Sequence, residues 1–171
     1  MEVRSSLLAV TAIISLLFQV GFPNCLLTEE QSLKDAWQRL NKGQYEAAIR
    51  FAEACIVAFR EEALREQHRL EKDKAPIPPT GSVGEAEKKK ALKRDLLNDV
   101  ATAYWIRVRA AEYLFLQAGK NSHRYKTTAK ESYQEACRFY YGRTWDPKGF
   151  FWPPCKAATN RLEDRHFCPR K

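Results

Sequence analysis

From Leu33 onward, apolar side chains return every three or four residues along most of the chain, the spacing of one face of an α-helix. Leu33, Ala36, Trp37 and Leu40 make the first stripe. Ahead of it, Thr28-Glu29-Glu30-Gln31 is a capping box whose Thr hydroxyl and Gln amide satisfy exposed backbone donors, so a helix is predicted to open at Glu29. Asn41-Lys42-Gly43 supplies a polar, glycine-containing stop. The pattern resumes at Tyr45 with Ala48, Ile49, Ala52, Ile56, Phe59 and Ala63, a second helix that packs back on the first.

Beyond Ala63 the helical pattern continues but turns strongly charged from Arg65 to Lys74, with Leu70 the one large apolar side chain in that stretch. This part is expected to project into solvent. Pro76, Pro78 and Pro79, with Gly81 and Gly84, then forbid a continuous helix, so residues 64–92 read as a charged hairpin with a proline-rich turn. A third helix is predicted over Glu85–Ala118, carrying Leu97, Ala101, Tyr104, Val108, Ala111 and Phe115 on one side and Val100, Ala103 and Leu114 on another. Two apolar sides need two covers, and a second copy of the chain in a homodimer is one alternative for the outer side. Gly119-Lys120-Asn121-Ser122 ends this helix; Tyr125, Ala129, Tyr133, Ala136 and Tyr140 mark a fourth. No β-alternation of useful length is present, although Asp146-Pro147-Lys148-Gly149 has the chemistry of a type I turn. A short helix is expected within Ala157–Leu162.

The fold expected is therefore all-α: two antiparallel helical hairpins over residues 25–141, closed by an aromatic, cysteine-containing C-terminal cap over 142–171. Met1 to Asn24 reads differently, as an export signal with Arg4 before the apolar run Leu7–Val20, or as a signal anchor if left uncleaved. Export to the periplasm or the medium is the expectation, with a membrane attachment only through that segment. The cysteines agree, since Cys55, Cys137, Cys155 and Cys168 remain after signal removal and an even number suits an oxidising compartment. Cys155–Cys168 is the expected disulfide, because it closes a loop in the tail, while Cys55 and Cys137 sit among apolar helical positions.

Gly43-Gln44-Tyr45-Glu46-Ala47-Ala48-Ile49, followed by Ala52 and Cys55, resembles the second half of a tetratricopeptide repeat, and Ala129, Tyr133 and Ala136 match the same helix of a second repeat. The exported chain with its closing Trp145-Asp146-Pro147-Lys148-Gly149-Phe150-Phe151-Trp152 is similar to small exported bacterial tetratricopeptide-repeat-like proteins. The resemblance implies tetratricopeptide-like packing of the hairpins and a role in binding or assembly. The charged insertion departs from the repeat period, and two repeats are fewer than a stack needs, so the aromatic tail has to cap the array.

The chemistry points away from catalysis. No G-x-S-x-G, P-loop, H-E-x-x-H or C-x-x-C occurs, and adjacent acid pairs such as Glu61-Glu62 diverge on a helix instead of converging in a cleft. His166 with Cys155 and Cys168 matches no standard zinc spacing, so neither a metal nor a cofactor is expected. A net charge of +8 favours an acidic protein or peptide partner, or an anionic wall polymer. Nucleic acid is not expected, because no stacking aromatic stands near Lys88-Lys89-Lys90 in the sequence. The partner-binding residues expected are Trp37, Tyr104 and Arg107 on the concave face between the first and third helices, then Trp145 and Trp152 with Arg143 and Lys148 beside them. The expected function is a non-catalytic interaction module of the cell envelope; the alternative is wall-polymer or glycan binding, with or without catalysis, through the basic aromatic C-terminus.

Overall fold

A computed structural model describes residues 29–118 and 123–157. The export segment, the Thr28 cap, the Gly119–Ser122 corner, and the tail with His166 and Cys168 lie outside the described residues, as does most of the expected short helix at Ala157–Leu162. The elements run α1 (Glu29–Asn41), α2 (Tyr45–Lys72), α3 (Glu85–Leu92), α4 (Asp95–Ala118), α5 (His123–Arg138), β1 (Thr144–Asp146) and β2 (Phe150–Trp152). The fold is all-α in character, with α1–α2 and α4–α5 as its two hairpins.

Small side chains let these helices approach. Ala36, Ala48, Ala52, Ala101, Ala103, Ala110, Ala111, Ala129 and Ala136 are all fully buried, and α4 runs through the middle against α1, α2 and α5. Such a helix presents apolar residues on several faces, which is why both apolar sides read from its sequence are covered within one chain. Tyr133, Phe139, Leu97, Ile106, Val100 and Val108 fill the space between the alanine contacts. Tyr133 also donates from its hydroxyl to Glu112, a carboxylate buried in the core and paired with Arg109 on its other oxygen.

The single long helix expected over Glu85–Ala118 is instead two. α3 ends at Leu92, and the Asn98 side-chain amide donates to the Ala91 carbonyl (2.8 Å), capping α3 from within α4. The Arg94 amide donates to the same carbonyl (3.2 Å), tightening the corner.

The charged end of α2 does not project into solvent. Ala63, Gln67 and Leu70 are buried, four and three residues apart on one face. Gln67 Oε1 accepts from the Tyr141 amide (3.3 Å), and the Tyr141 hydroxyl donates to the Ala75 carbonyl (2.7 Å). The proline-rich turn is held too: Gly81 and Phe151 exchange backbone hydrogen bonds of 2.7 and 2.9 Å, placing the turn against β2.

The closing segment forms an antiparallel hairpin with Trp145 opposite Phe151. Its turn follows the sequence expectation: the Gly149 amide donates to the Asp146 carbonyl (2.8 Å), and Asp146 Oδ1 accepts from the Lys148 amide (2.8 Å). Strands of three residues are too short to announce themselves by alternation. The hairpin is fixed to α4 by Thr144: the Thr102 hydroxyl donates to the Asn98 carbonyl (2.7 Å), so Thr144 donates to Thr102 across 2.6 Å.

Candidate functional site

An open groove of about 380 Å³ runs between α1 and α4. Trp37, Leu40 and Asn41 come from α1, Gly43 from the corner, Tyr45 from the start of α2, and Trp105, Arg109 and Tyr113 from α4. The three α4 residues are four apart, so they form one stripe along the helix. The Tyr45 and Tyr113 rings stack with centroids 4.7 Å apart and planes 12° apart. Arg109 lies 4.9 Å from the Tyr113 ring centroid and 5.9 Å from that of Trp105, donates from Nη2 to the Tyr113 hydroxyl (2.9 Å), and pairs through Nη1 with Glu112 (2.6 Å). A guanidinium fixed at three points holds the aromatic wall in place.

The corner that opens the groove depends on Gly43. Its φ of +71° is the left-handed conformation, which lets the Gly43 amide reach the Leu40 carbonyl (3.1 Å) and the Gln44 amide reach that of Arg39 (2.9 Å). The chain then turns back at once, and Tyr45 meets Tyr113.

Of the residues singled out from the sequence, Trp37 lies in this groove. Tyr104 and Arg107 do not line it. Tyr104 is 4% exposed, stacks on Phe139, and accepts from Arg60 Nε (3.1 Å). Burial raises its hydroxyl above the ordinary tyrosine value. Arg107 donates to Glu53 (3.0 Å) and Ser132 (2.9 Å), and Arg60 bridges to Glu135 (2.9 Å), whose hydrogen bond holds the Arg60 guanidinium above its ordinary value. These contacts join α2, α4 and α5 on another side of α4. Both residues are engaged in packing between helices, and the α4 residues that line the groove are Trp105, Arg109 and Tyr113. The spacing of four through those three residues was the available signal.

The C-terminal aromatics divide. Phe151 is buried, while Trp152 is half-buried and sets its ring against Trp105 at 5.5 Å and 65°, so it supports the groove wall from behind. Trp145 is half-buried, 4.8 Å from Phe151, with the Lys88 ammonium 4.5 Å from its ring centroid. Arg143, expected beside them on the surface, is 4% exposed. Lys148 is exposed.

Cys155 is disulfide-bonded to Cys137, not to Cys168 as expected, with Cα atoms 4.3 Å apart. The physical reason is the hairpin: β1 and β2 bring the chain back to the end of α5, where Cys137 stands. Cys55 is buried in the helical core.

A second cleft, of about 450 Å³, lies between α2 and the start of α4, where Arg65, Arg69, Lys93 and Arg94 are interleaved with Glu62, Glu66 and Asp95. Arg69 is already paired with Glu66 (2.6 Å), so the charges there largely answer one another. Among the described residues no group of three His, Cys, Asp or Glu side chains is placed to hold a metal ion, and no helix is long and apolar enough to cross a membrane. Compared with protein-family models, curated proteins and solved structures, the chain matches none.

Proposed function

We propose that the protein is a non-catalytic binding module of the cell envelope that takes a peptide segment of a partner protein into the groove between α1 and α4. The observation that carries this reading is the groove itself: Trp37, Tyr45, Trp105 and Tyr113, brought together from α1, α2 and α4, line it with the Arg109 guanidinium, and each keeps part of its surface exposed. Aromatic and arginine side chains in such a setting are the usual anchors of protein recognition. The helix order adds support, since α4 packs on both α1 and α2, and the groove lies on the face formed by the first helix of each hairpin. In helical-repeat arrays that face is the extended binding surface, so the tetratricopeptide resemblance and the groove agree. The Cys137–Cys155 bridge supports an exported location, because disulfides persist in oxidising compartments.

The alternative, wall-polymer or glycan binding through the C-terminal segment, has to rest on Trp145 and Lys148. Phe151 is withdrawn into the core and Trp152 is engaged with Trp105.

Chemical crosslinking in the native envelope separates the two. The wild type is compared with a Trp37→Ala/Tyr113→Ala variant and a Trp145→Ala variant, each checked for unchanged helical content. Loss of a discrete protein partner in the groove variant alone is the expected result. Retention of that partner by the folded groove variant contradicts the proposal, and loss of wall-polymer binding on Trp145→Ala favours the alternative.

A further inference from the structure

We infer that the segment held by this groove is proline-rich and bound in the polyproline II conformation; the inference rests on the binding reading above and specifies its ligand. The first ground is the surface. Trp37 and Trp105 come from neighbouring helices, and Tyr45 and Tyr113 form a parallel stack beside them, leaving a shallow, aromatic-lined channel. Grooves of this kind recognise polyproline II segments, whose pyrrolidine rings pack against flat aromatic surfaces.

The second ground is hydrogen-bond complementarity. Among the described residues the polar side chains lining the groove are Trp37, Trp105, Tyr45, Tyr113, Asn41 and Arg109; each can donate a hydrogen bond, only the two phenol hydroxyls and the Asn41 side-chain carbonyl can also accept, and no carboxylate is among them. The Tyr113 hydroxyl already accepts from Arg109, which leaves its own proton to be donated elsewhere. A proline-rich strand is the matching ligand: it presents carbonyl acceptors with no internal hydrogen bonds, and each proline lacks the N–H that would need an acceptor in return.

The third ground is charge. Among the described residues Arg109 is the one ionised side chain lining the groove, and Glu112 pairs with it at 2.6 Å. An acidic segment therefore gains little here, despite the net charge of +8 on the whole chain. A neutral, preorganised strand loses little entropy on binding, which suits an open groove that encloses its ligand only partly.

Isothermal titration of the full chain with decaproline, a glycine-serine peptide of equal length and a glutamate-rich one tests this. Saturable binding of decaproline alone is expected. Tyr113→Ala should weaken it about tenfold or more. Tyr113→Phe, which keeps the ring and loses the donor, should weaken it less, and Val57→Ala on the solvent side of α2 should leave it unchanged. Failure of decaproline to saturate by about 1 mM, while the groove still crosslinks a protein partner, overturns the inference and leaves the binding reading standing. Tighter binding of the glutamate-rich peptide overturns it in the same way. Loss of both peptide and partner binding at the groove defeats both.

Discussion

The Arg143 guanidinium grips the Pro78 carbonyl with two donors, Nε at 3.1 Å and Nη2 at 2.6 Å. Its other bonds go to the carbonyls of Pro79, Tyr140 and Gly142, so a buried cation is satisfied by backbone oxygen without a carboxylate. Burial, with Arg94 nearby, pushes the guanidinium down to about 10, which leaves it charged at neutral pH. This side chain ties the proline-rich turn to the corner between α5 and β1. Lysine lacks the planar fork, so Arg143→Lys should cost about 2–4 kcal/mol in a urea unfolding experiment. A loss below about 0.5 kcal/mol would show that the latch is dispensable.

The Cys137–Cys155 bridge closes a loop across 18 positions of sequence. On the chain-entropy estimate it contributes roughly 3 kcal/mol, and Cys155→Ser should lower stability by about that amount. Peptide mapping of the unreduced protein should recover Cys137 joined to Cys155. Recovery of Cys155 joined to Cys168 would contradict the hairpin placement.

Two helix ends share one geometry with different residues. At the end of α2, Lys74 has φ +48°, its amide donates to the Glu71 carbonyl (3.0 Å), and the Ala75 amide donates to that of Leu70 (2.9 Å). This is the motif that Gly43 forms after α1, but a side chain at the left-handed position is strained. Lys74→Gly should therefore raise the unfolding free energy by about 0.5–1 kcal/mol, and Gly43→Ala should lower it by about 1 kcal/mol or more. Equal effects of the same sign would contradict this.

Acid should loosen the junction of α2 with α4. The hydrogen bond from Arg69, opposed by burial and aided by the charges of Arg69 and Arg94, holds the Glu66 carboxyl below its ordinary value of 4.5. A carboxyl whose folded value is depressed stabilises the fold above the unfolded value, and that contribution is lost as pH falls through the folded one. Urea midpoints should thus drop between neutral pH and about pH 3, and Glu66→Gln should flatten part of that drop. An unchanged pH profile in Glu66→Gln would exclude the pair as a source of acid sensitivity.

Much of the fold was legible because helical spacing is local. The hairpins, the Gly43 corner, the Asp146–Gly149 turn and the apolar sides of α4 all follow from residues close in sequence. The break after Leu92 was not, because Lys93 and Arg94 are good helix formers and the break is made by Asn98 reaching back to Ala91. Burial of Gln67 and Arg143 depends on partners 74 and 65 positions away, beyond any periodicity.

The candidate site was legible by half. Trp37 stands on the apolar stripe of the short helix α1, and that stripe faces the groove. On α4 the sequence does not separate Tyr104 and Arg107 from Trp105 and Arg109, since a helix apolar on several sides does not tell which side meets α1. Trp105, Arg109 and Tyr113 are revealed by the packing of Tyr45 on Tyr113, a contact set by the corner at Gly43.

The most direct test of the account places a photo-crosslinking amino acid at Tyr113 in the groove and, separately, at Val57, which is 85% exposed on α2. In cells that make the protein, the Tyr113 position should yield one discrete protein adduct that Trp37→Ala suppresses, and the Val57 position should not yield it. The same adduct from both positions, or none from Tyr113 while Val57 gives one, would contradict the account of the groove as the binding site.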